Sequence, residues 1–451
     1  MIDSRAPDPV AVASDPSRPY DLVVVGAGIA GLSAALSSTS TGCRVLVLDA
    51  HPLGGRARTT DHSGFLHNVG PHALYRTGAL AALLARHRVP ISGGTPPAGG
   101  ALAIRGGCAS PLPARPFELL RTGLLGRTDR LRLLTVLARV QRADPTRWVG
   151  RSVSEIAGGA SDRVREFIEM FVRVSTYTDA PEVLDAGAAI AQMRMALGPG
   201  VVYLDGGWAS MIASMARSLE AAGGEVRTGV TVRMIEASGG DEPVVVDTDS
   251  GAVRATSVVL ATGGPLVAQR LTGAAVRGAD RITSPVTATV VDLALRHERP
   301  ALAFALDAPL YMSAHAPAAR LAPSGCGLVS IMRYHPPTTG VDVPVDVPVD
   351  DSSDGRVDGR AELRAFALHA GITATDVVHE RYLHRVVVTH GAPTALGGGL
   401  AGRPAVDALD RPGVYLAGDW VGAEGLLADA AAASGVAAAL MAARRRASIT
   451  A

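Results

Sequence analysis

Gly26, Gly28 and Gly31 stand at G-x-G-x-x-G spacing, and an aspartate, Asp49, follows roughly 20 residues later. Residues of these types in this order suit a dinucleotide. Gly26 permits a tight turn, Gly28 lets a pyrophosphate approach the backbone where a helix begins, and Gly31 lets that helix pack closely on a strand. With Ala27, Ile29 and Ala30 they make one phosphate-facing turn, while the Asp49 carboxylate, with Ala50 beside it, can accept hydrogen bonds from a ribose diol. A second anion cradle follows at Gly54, Gly55 and Arg56, with Arg58 just beyond; glycines beside a guanidinium can close over the same pyrophosphate.

Positioning these groups takes a strand, a turn, a helix and a second strand. The apolar run Leu22 to Val25 suits a parallel strand buried on both faces, the glycine turn opens a helix, and the next strand ends at Asp49. From Ala79 to roughly Leu197 the pattern turns helical. Its segment Pro113 to Trp148 sets Leu119, Leu120, Leu124, Leu125, Leu131, Leu133, Leu134 and Leu137 among eight arginines and three acids. That balance reads as a solvated helix face over an apolar core, with peripheral contact to an anionic membrane surface as the alternative. Nucleotide-domain syntax returns at Tyr203 with Gly206-Gly207, an amphipathic helix and strands through Thr262. Ile282 to Met332 alternates as an antiparallel sheet does. Residues 341–360, rich in Pro, Asp and Gly, read as an exposed low-complexity loop, Ala361 to Ala370 as a helix and Arg385 to Thr389 as a strand. A buried strand, Val414 to Ala417, then runs into Gly418-Asp419 and a helix of small residues.

The 451 residues, 47% hydrophobic with 51 glycines, describe a globular α/β protein. A net charge of +1 and the lack of basic blocks interleaved with aromatics argue against nucleic-acid binding. All 43 basic residues are arginine, which excludes lysine-dependent chemistry. Cys43, Cys108 and Cys326 are widely spaced and read as reduced packing cysteines of a cytoplasmic protein, with no metal site. Residues 1–19 hold acids and prolines where a signal peptide needs an apolar core, and read as a disordered lead. No window has the character of a membrane span.

Together, the fingerprint, the acid, the Gly54-Gly55-Arg56 motif and the stretch Gly64 to Tyr75 resemble the superfamily of flavin-containing amine oxidases, phytoene desaturases and protoporphyrinogen oxidases. The resemblance implies FAD as cofactor and covers most of the chain. It places Gly70, Pro71 and His72 near the flavin ring and lays the Val232 backbone against the adenine. It sets Asp419 against the ribityl-phosphate portion, and it points the N–H groups of Leu426, Leu427 and Ala428 at the flavin pyrimidine, where a helix dipole favours a reduced, anionic ring. It also implies an α/β fold with a Rossmann-type FAD-binding domain (20–78, 200–265 and 405–445). A second, α+β substrate domain of antiparallel sheet and helical lid (79–199 and 266–404) is inserted in it. The chain departs from the amine oxidases of this group, which hold a water near the flavin with a lysine and sandwich the amine between two aromatics; here the last block offers only Tyr415 and Trp420.

Desaturation-type hydride removal from an apolar small molecule therefore fits best, with His72, Glu424, Asp429 or water as proton acceptor. A lysine-free amine oxidase, a redox-neutral flavin isomerase or saturase, and a flavin-free prenyl carrier resembling Rab-escort proteins are the alternatives. Nothing in the residues calls for an obligate protein partner.

Overall fold

The computed structural model describes residues 19–450 apart from 97–98, 114, 238, 300–301 and 338–356. The N-terminal lead through residue 18 and most of the Pro/Asp-rich tract lie outside the described residues. Strand β1 (Tyr20–Val25) sits mid-sheet between β2 (Val45–Asp49) and the strand Val253–Leu260, all parallel. Glu225–Thr228 adds to the far side of β2, and Val414–Leu416 to the far side of Val253–Leu260. Val23, Val24, Leu46 and Val47 have no exposed surface, as expected of strands covered on both faces. Val25 pairs with Leu48 and Leu260, and Leu260 with Leu416, so these carboxyl ends finish level. Gly26, Ala50, Ala261 and Ala417 therefore leave the sheet along one edge, where open α/β sheets bind ligands. Val232–Glu236 and Val244–Thr248 extend the sheet as an antiparallel pair.

Helix α1 (Ile29–Thr39) starts at the glycine turn, and the long helix Leu427–Thr450 lies across it. A Cβ on Gly435 would fall 2.3 Å from the Ala30 carbonyl oxygen, so only a glycine lets the two backbones meet. Contrary to the sequence expectation, Leu427–Thr450 is long and apolar enough to cross a membrane; half of its apolar window is buried in this fold.

The second sheet is ordered Val377–Thr389, Val286–Leu295, Gly327–Tyr334, Leu310–Ala316, Leu302–Ala305, Leu102–Arg105, Cys108–Pro111, and is antiparallel except where Leu302–Ala305 meets Leu102–Arg105. All of Val286–Leu295 is buried. The hairpin Leu102–Pro111 corrects the reading of Ala79 to Leu197 as helical throughout. Its turn is Gly106-Gly107, both at positive φ (54° and 75°), the two-residue turn whose twist suits a hairpin. Cys108 stands exposed beside that turn and is not a packing cysteine.

That reach also holds the short strand Gly93–Gly94, and its helices include Ala79–Arg86, Arg127–Arg142, Asp162–Thr176 and Ala186–Leu197. Leu119, Leu125 and Leu133 are buried, whereas Leu120 and Leu131 are exposed. Arg130, Arg132 and Arg139 donate to the carbonyls of Leu120 and Leu125, Gly158 and Ile156, and so tie neighbouring segments together.

Candidate functional site

A cavity of about 1260 Å³ runs from the carboxyl edge of the parallel sheet to the second sheet. That exceeds the ~300–1,000 Å³ of ordinary small-molecule sites and leaves room for a dinucleotide with a second ligand. Gly26, Gly28, Ile29, Ala30, Asp49 and Ala50 line one end. Gly26 turns at φ 109°, a conformation that favours glycine, and a Cβ on Gly31 would fall 1.8 Å from the Gly26 carbonyl oxygen. Helix and turn can close only over a hydrogen. Gly28 differs: a Cβ there meets only the Gly54 carbonyl oxygen, at 3.8 Å, and one on Gly55 would lie 3.9 Å from the Gly28 Cα. Two glycine backbones thus face each other across a slot at the start of α1, whose N-cap Gly28 has no side chain to satisfy the first N–H groups. Asp49 accepts from the N–H groups of Ala27 (2.7 Å) and His51 (2.8 Å), which fixes its carboxylate at the end of β2. Ala27 is thereby corrected: it is fully buried, off the cavity wall, and orients Asp49. Gly31 is likewise a packing glycine off the wall.

Across the slot stand Gly55, Arg56, Val232, Gly418 and Asp419. Arg56 Nη1 lies 2.7 Å from Asp419 Oδ2 and donates to the Val388 carbonyl at 2.9 Å, so the two expected ligand contacts are partners of each other. The His390 N–H donates to the same carboxylate oxygen, and its ring Nδ1 is 3.4 Å from Oδ1; a carboxylate only accepts, so Nδ1 carries the proton. Burial alone would raise the Asp419 carboxyl, but Arg56 and then His390 outweigh it and hold it well below the ordinary carboxylate range. His390 Nε2 and Thr262 Oγ1, on residues that line the cavity, have no hydrogen-bond partner among the described residues.

Arg403, which the sequence reading passed over, builds the turn beyond Asp419. It is buried, and its guanidinium donates to the carbonyls of Gly422 (2.7 Å), Asp419 (3.1 Å), Glu424 (3.0 Å) and Gly425 (2.9 Å). Burial lowers its pKa to about 10, which leaves it charged at neutral pH. The turn so held delivers Leu426, Leu427 and Ala428 to the cavity wall, and the Leu427 and Ala428 N–H groups, at the head of a 24-residue helix, donate to no described group. They form a preorganised pair of donors with the positive end of a helix dipole behind them.

The three candidate proton acceptors fare differently. Glu424 is corrected: its side chain is exposed and off the cavity wall, and the turn uses its backbone carbonyl. Asp429 lines the cavity but also caps another helix, its Oδ1 accepting from the Leu80 N–H at 3.0 Å. His72 lines the cavity with Gly70 and Pro71; its Nδ1 is 3.0 Å from the Gly70 carbonyl oxygen, and its ring stands edge-on to Trp208, centroids 4.8 Å apart. A carbonyl only accepts, so Nδ1 bears the proton and Nε2 keeps a free lone pair. Burial lowers the His72 pKa, so the ring is neutral at pH 7 and able to take up a proton.

Burial raises the Asp429 pKa to about 6. The folded chain therefore keeps a proton that the unfolded chain releases, and this residue's contribution is most favourable below the unfolded value and is lost as pH rises through about 6. The penalty above that pH is on the order of 2–3 kcal/mol. Asp429→Asn keeps an oxygen for the Leu80 N–H and carries no charge. In the FAD-free protein it should gain roughly 1–2 kcal/mol over the parent at pH 8 and about nothing at pH 4 by urea denaturation. Equal gains at both pH values would show that Asp429 is not charged against its surroundings.

At the far end the cavity is walled by aromatic rings. Tyr75, Tyr177, Tyr203, Tyr311, Phe304 and Trp208 line it, and Val174, Ala288, Val290 and Met332 fill between them. Burial raises all four phenols, and the groups that Tyr177 feels electrostatically are other tyrosines. The expected C-terminal aromatics do not reach this chamber: Tyr415 donates to the Met441 carbonyl and Trp420 Nε1 to that of Gly263. No spacing links the four tyrosines, which come from four separate parts of the chain.

An open glycine slot at one helix N-terminus and two free N–H groups at another fit an extended dinucleotide ending in a ring with a negative edge. The family model described as FAD dependent oxidoreductase matches residues 21–433. Two curated relatives match over short stretches. An opine oxidase subunit of Agrobacterium tumefaciens (strain Ach5) is 52% identical over 46 residues, 10% of this chain and 9% of that one. L-amino-acid oxidase of Echis ocellatus is 50% identical over 58 residues, 12% of each. The matches thus span about a tenth of those relatives' lengths. Among solved structures, an oxidoreductase from Methanosarcina mazei has a TM-score of 0.71 at 17% identity, over 93% of this chain and 99% of that one. Putrescine oxidase bound to putrescine has a TM-score of 0.69 at 16% identity, over 94% and 98%. Rab GDI from Plasmodium falciparum has a TM-score of 0.59 at 11% identity, over 95% and 98%. At these identities the likeness is one of fold. The family match takes in both sheets and both ends of the cavity, and the chain belongs to the FAD dependent oxidoreductase family, whose cofactor is FAD.

Proposed function

We propose that this oxidoreductase removes a hydride from a C–H bond of an uncharged, largely apolar small molecule held in the aromatic chamber. The observation that carries this reading is the composition of that chamber. Its wall is phenol, phenyl, indole and aliphatic carbon, and Asp49, Arg56, Arg58, Arg233, Arg270 and Asp419 belong to the nucleotide end; the carboxyl beside the rings, Asp429 near Tyr75, is spent on the Leu80 N–H, and burial raises its pKa to about 6. A charged substrate would lose its hydration there against a carboxyl that already caps a helix.

FAD would supply the acceptor for the hydride, which carries both electrons. The slot at Gly28 and Gly55 would hold its pyrophosphate, Asp49 its ribose, and the Leu427 and Ala428 N–H groups the ring edge that becomes negative. His72 Nε2 takes the proton left on the neighbouring substrate atom when the hydride departs, so the substrate gains a double bond. Oxygen or another external acceptor then removes both electrons.

Anaerobic mixing of the flavin-loaded protein with neutral polyenes, porphyrinogen esters and uncharged alkaloids tests this reading. Loss of the visible flavin band with one of these, and none with putrescine, is the expected result. Bleaching by putrescine alone, or turnover of a neutral compound with no net redox change, would overturn it.

A further inference from the structure

We propose that Tyr177 is a substrate-positioning residue, and that the molecule it selects carries one uncharged hydrogen-bonding group, such as a carbonyl, on an otherwise apolar body. This rests on the reading of the aromatic chamber as the substrate site.

Tyr177 ends the helix Asp162–Thr176 in the left-handed region, at φ 55° and ψ 27°, with its N–H on the Arg173 carbonyl at 2.8 Å. Glycine is the favoured residue at such a helix end, and a bulky ring there is disfavoured. The surroundings hold it in place. Arg173 is buried against Asp179 at 3.5 Å, Tyr75 donates to the Ser175 carbonyl at 3.1 Å, and the Tyr177 ring stands edge-on to Tyr334 with centroids 6.2 Å apart. A disfavoured backbone kept by so many contacts points to a use for the side chain.

The hydroxyl shows what that use is. Tyr75 spends its own on a carbonyl, those of Tyr203 and Tyr311 lie within reach of each other and of Ser313, and that of Tyr334 is sealed off from the cavity. Tyr177 lines the cavity, and its hydroxyl has no partner among the described residues and is not sealed. One free phenol in an apolar chamber donates to a neutral oxygen or nitrogen and gives no countercharge to an ion.

Two naphthalenes of matched substitution, one acetyl and one isopropenyl, have nearly the same shape and differ in C=O against C=CH₂. Calorimetric titration of the flavin-loaded protein should show the ketone bound roughly 3–10-fold more tightly, the net worth of one hydrogen bond. Tyr177→Phe should erase that preference while leaving the hydrocarbon's Kd and the melting temperature unchanged. Wild-type protein without the preference, or Tyr177→Phe that keeps it, would overturn the role of Tyr177 and leave the apolar chamber standing. If neither compound binds or shifts the melting temperature, the chamber reading fails, and this inference with it.

Discussion

Replacing Gly28 with valine is expected to weaken FAD binding by roughly a hundredfold, about 2.7 kcal/mol, while the fold stays intact. Gly28 has φ −85° and ψ −171°, extended backbone open to any residue, and its missing Cβ faces only the Gly54 carbonyl oxygen at 3.8 Å. The valine methyls would fill the slot opposite Gly55 where the pyrophosphate approaches the backbone. Loss of a favourable N-cap residue should cost the FAD-free protein only about 1 kcal/mol. Quenching of FAD fluorescence gives the affinity, and melting of the FAD-free protein gives the fold. Gly31→Val is the contrasting case, because its Cβ would collide with the Gly26 oxygen and the variant should lose stability as well as cofactor. Wild-type FAD affinity in Gly28→Val would remove the slot from the cofactor site.

Arg403→Met is expected to destabilise the protein by about 2–4 kcal/mol and to release FAD. One buried guanidinium satisfies the buried carbonyl of Asp419 and the part-buried carbonyls of Gly422, Glu424 and Gly425; a buried carbonyl left without a donor costs about 1–3 kcal/mol, and one that water can reach costs less. The same turn presents the Leu427 and Ala428 N–H groups, so its loosening should also lower affinity for the flavin. Arg403→Lys should recover little, since a single ammonium cannot serve four carbonyls spread around a planar fork. Guanidinium denaturation with the flavin spectrum followed in parallel checks both effects. A variant within about 1 kcal/mol of the parent that retains FAD would show that the turn holds itself.

The legible parts of this chain were the local ones. The glycine turn, Asp49, the Gly206-Gly207 helix start and the Gly418-Asp419 turn can be read because each function depends on neighbours a few residues away. The hairpin at Gly106-Gly107 also carried its signal, a glycine pair at the right turn length, but long helical periodicity on both sides obscured it. Glu424 illustrates the limit: an acid beside a cofactor turn resembles a base by sequence, yet its side chain points to solvent while its carbonyl supports the turn. Arg403 sits in a loop, where arginines are usually solvated, and only burial of the loop reveals its four acceptors. The aromatic chamber was the least legible part. Tyr75, Tyr177, Tyr203 and Tyr311 converge by tertiary packing alone, so a total of 4% aromatic residues suggested few recognition groups where the fold concentrates them.

This fold is shared with putrescine oxidase and with Rab GDI, so the central claim is that this cavity is built around FAD and has not lost it. The direct measurement is the visible spectrum of the purified protein together with the nucleotide it releases on denaturation. A flavin spectrum with one FAD per chain is the predicted result. A colourless protein that takes up no FAD on incubation would contradict the account and favour the alternative of a flavin-free carrier.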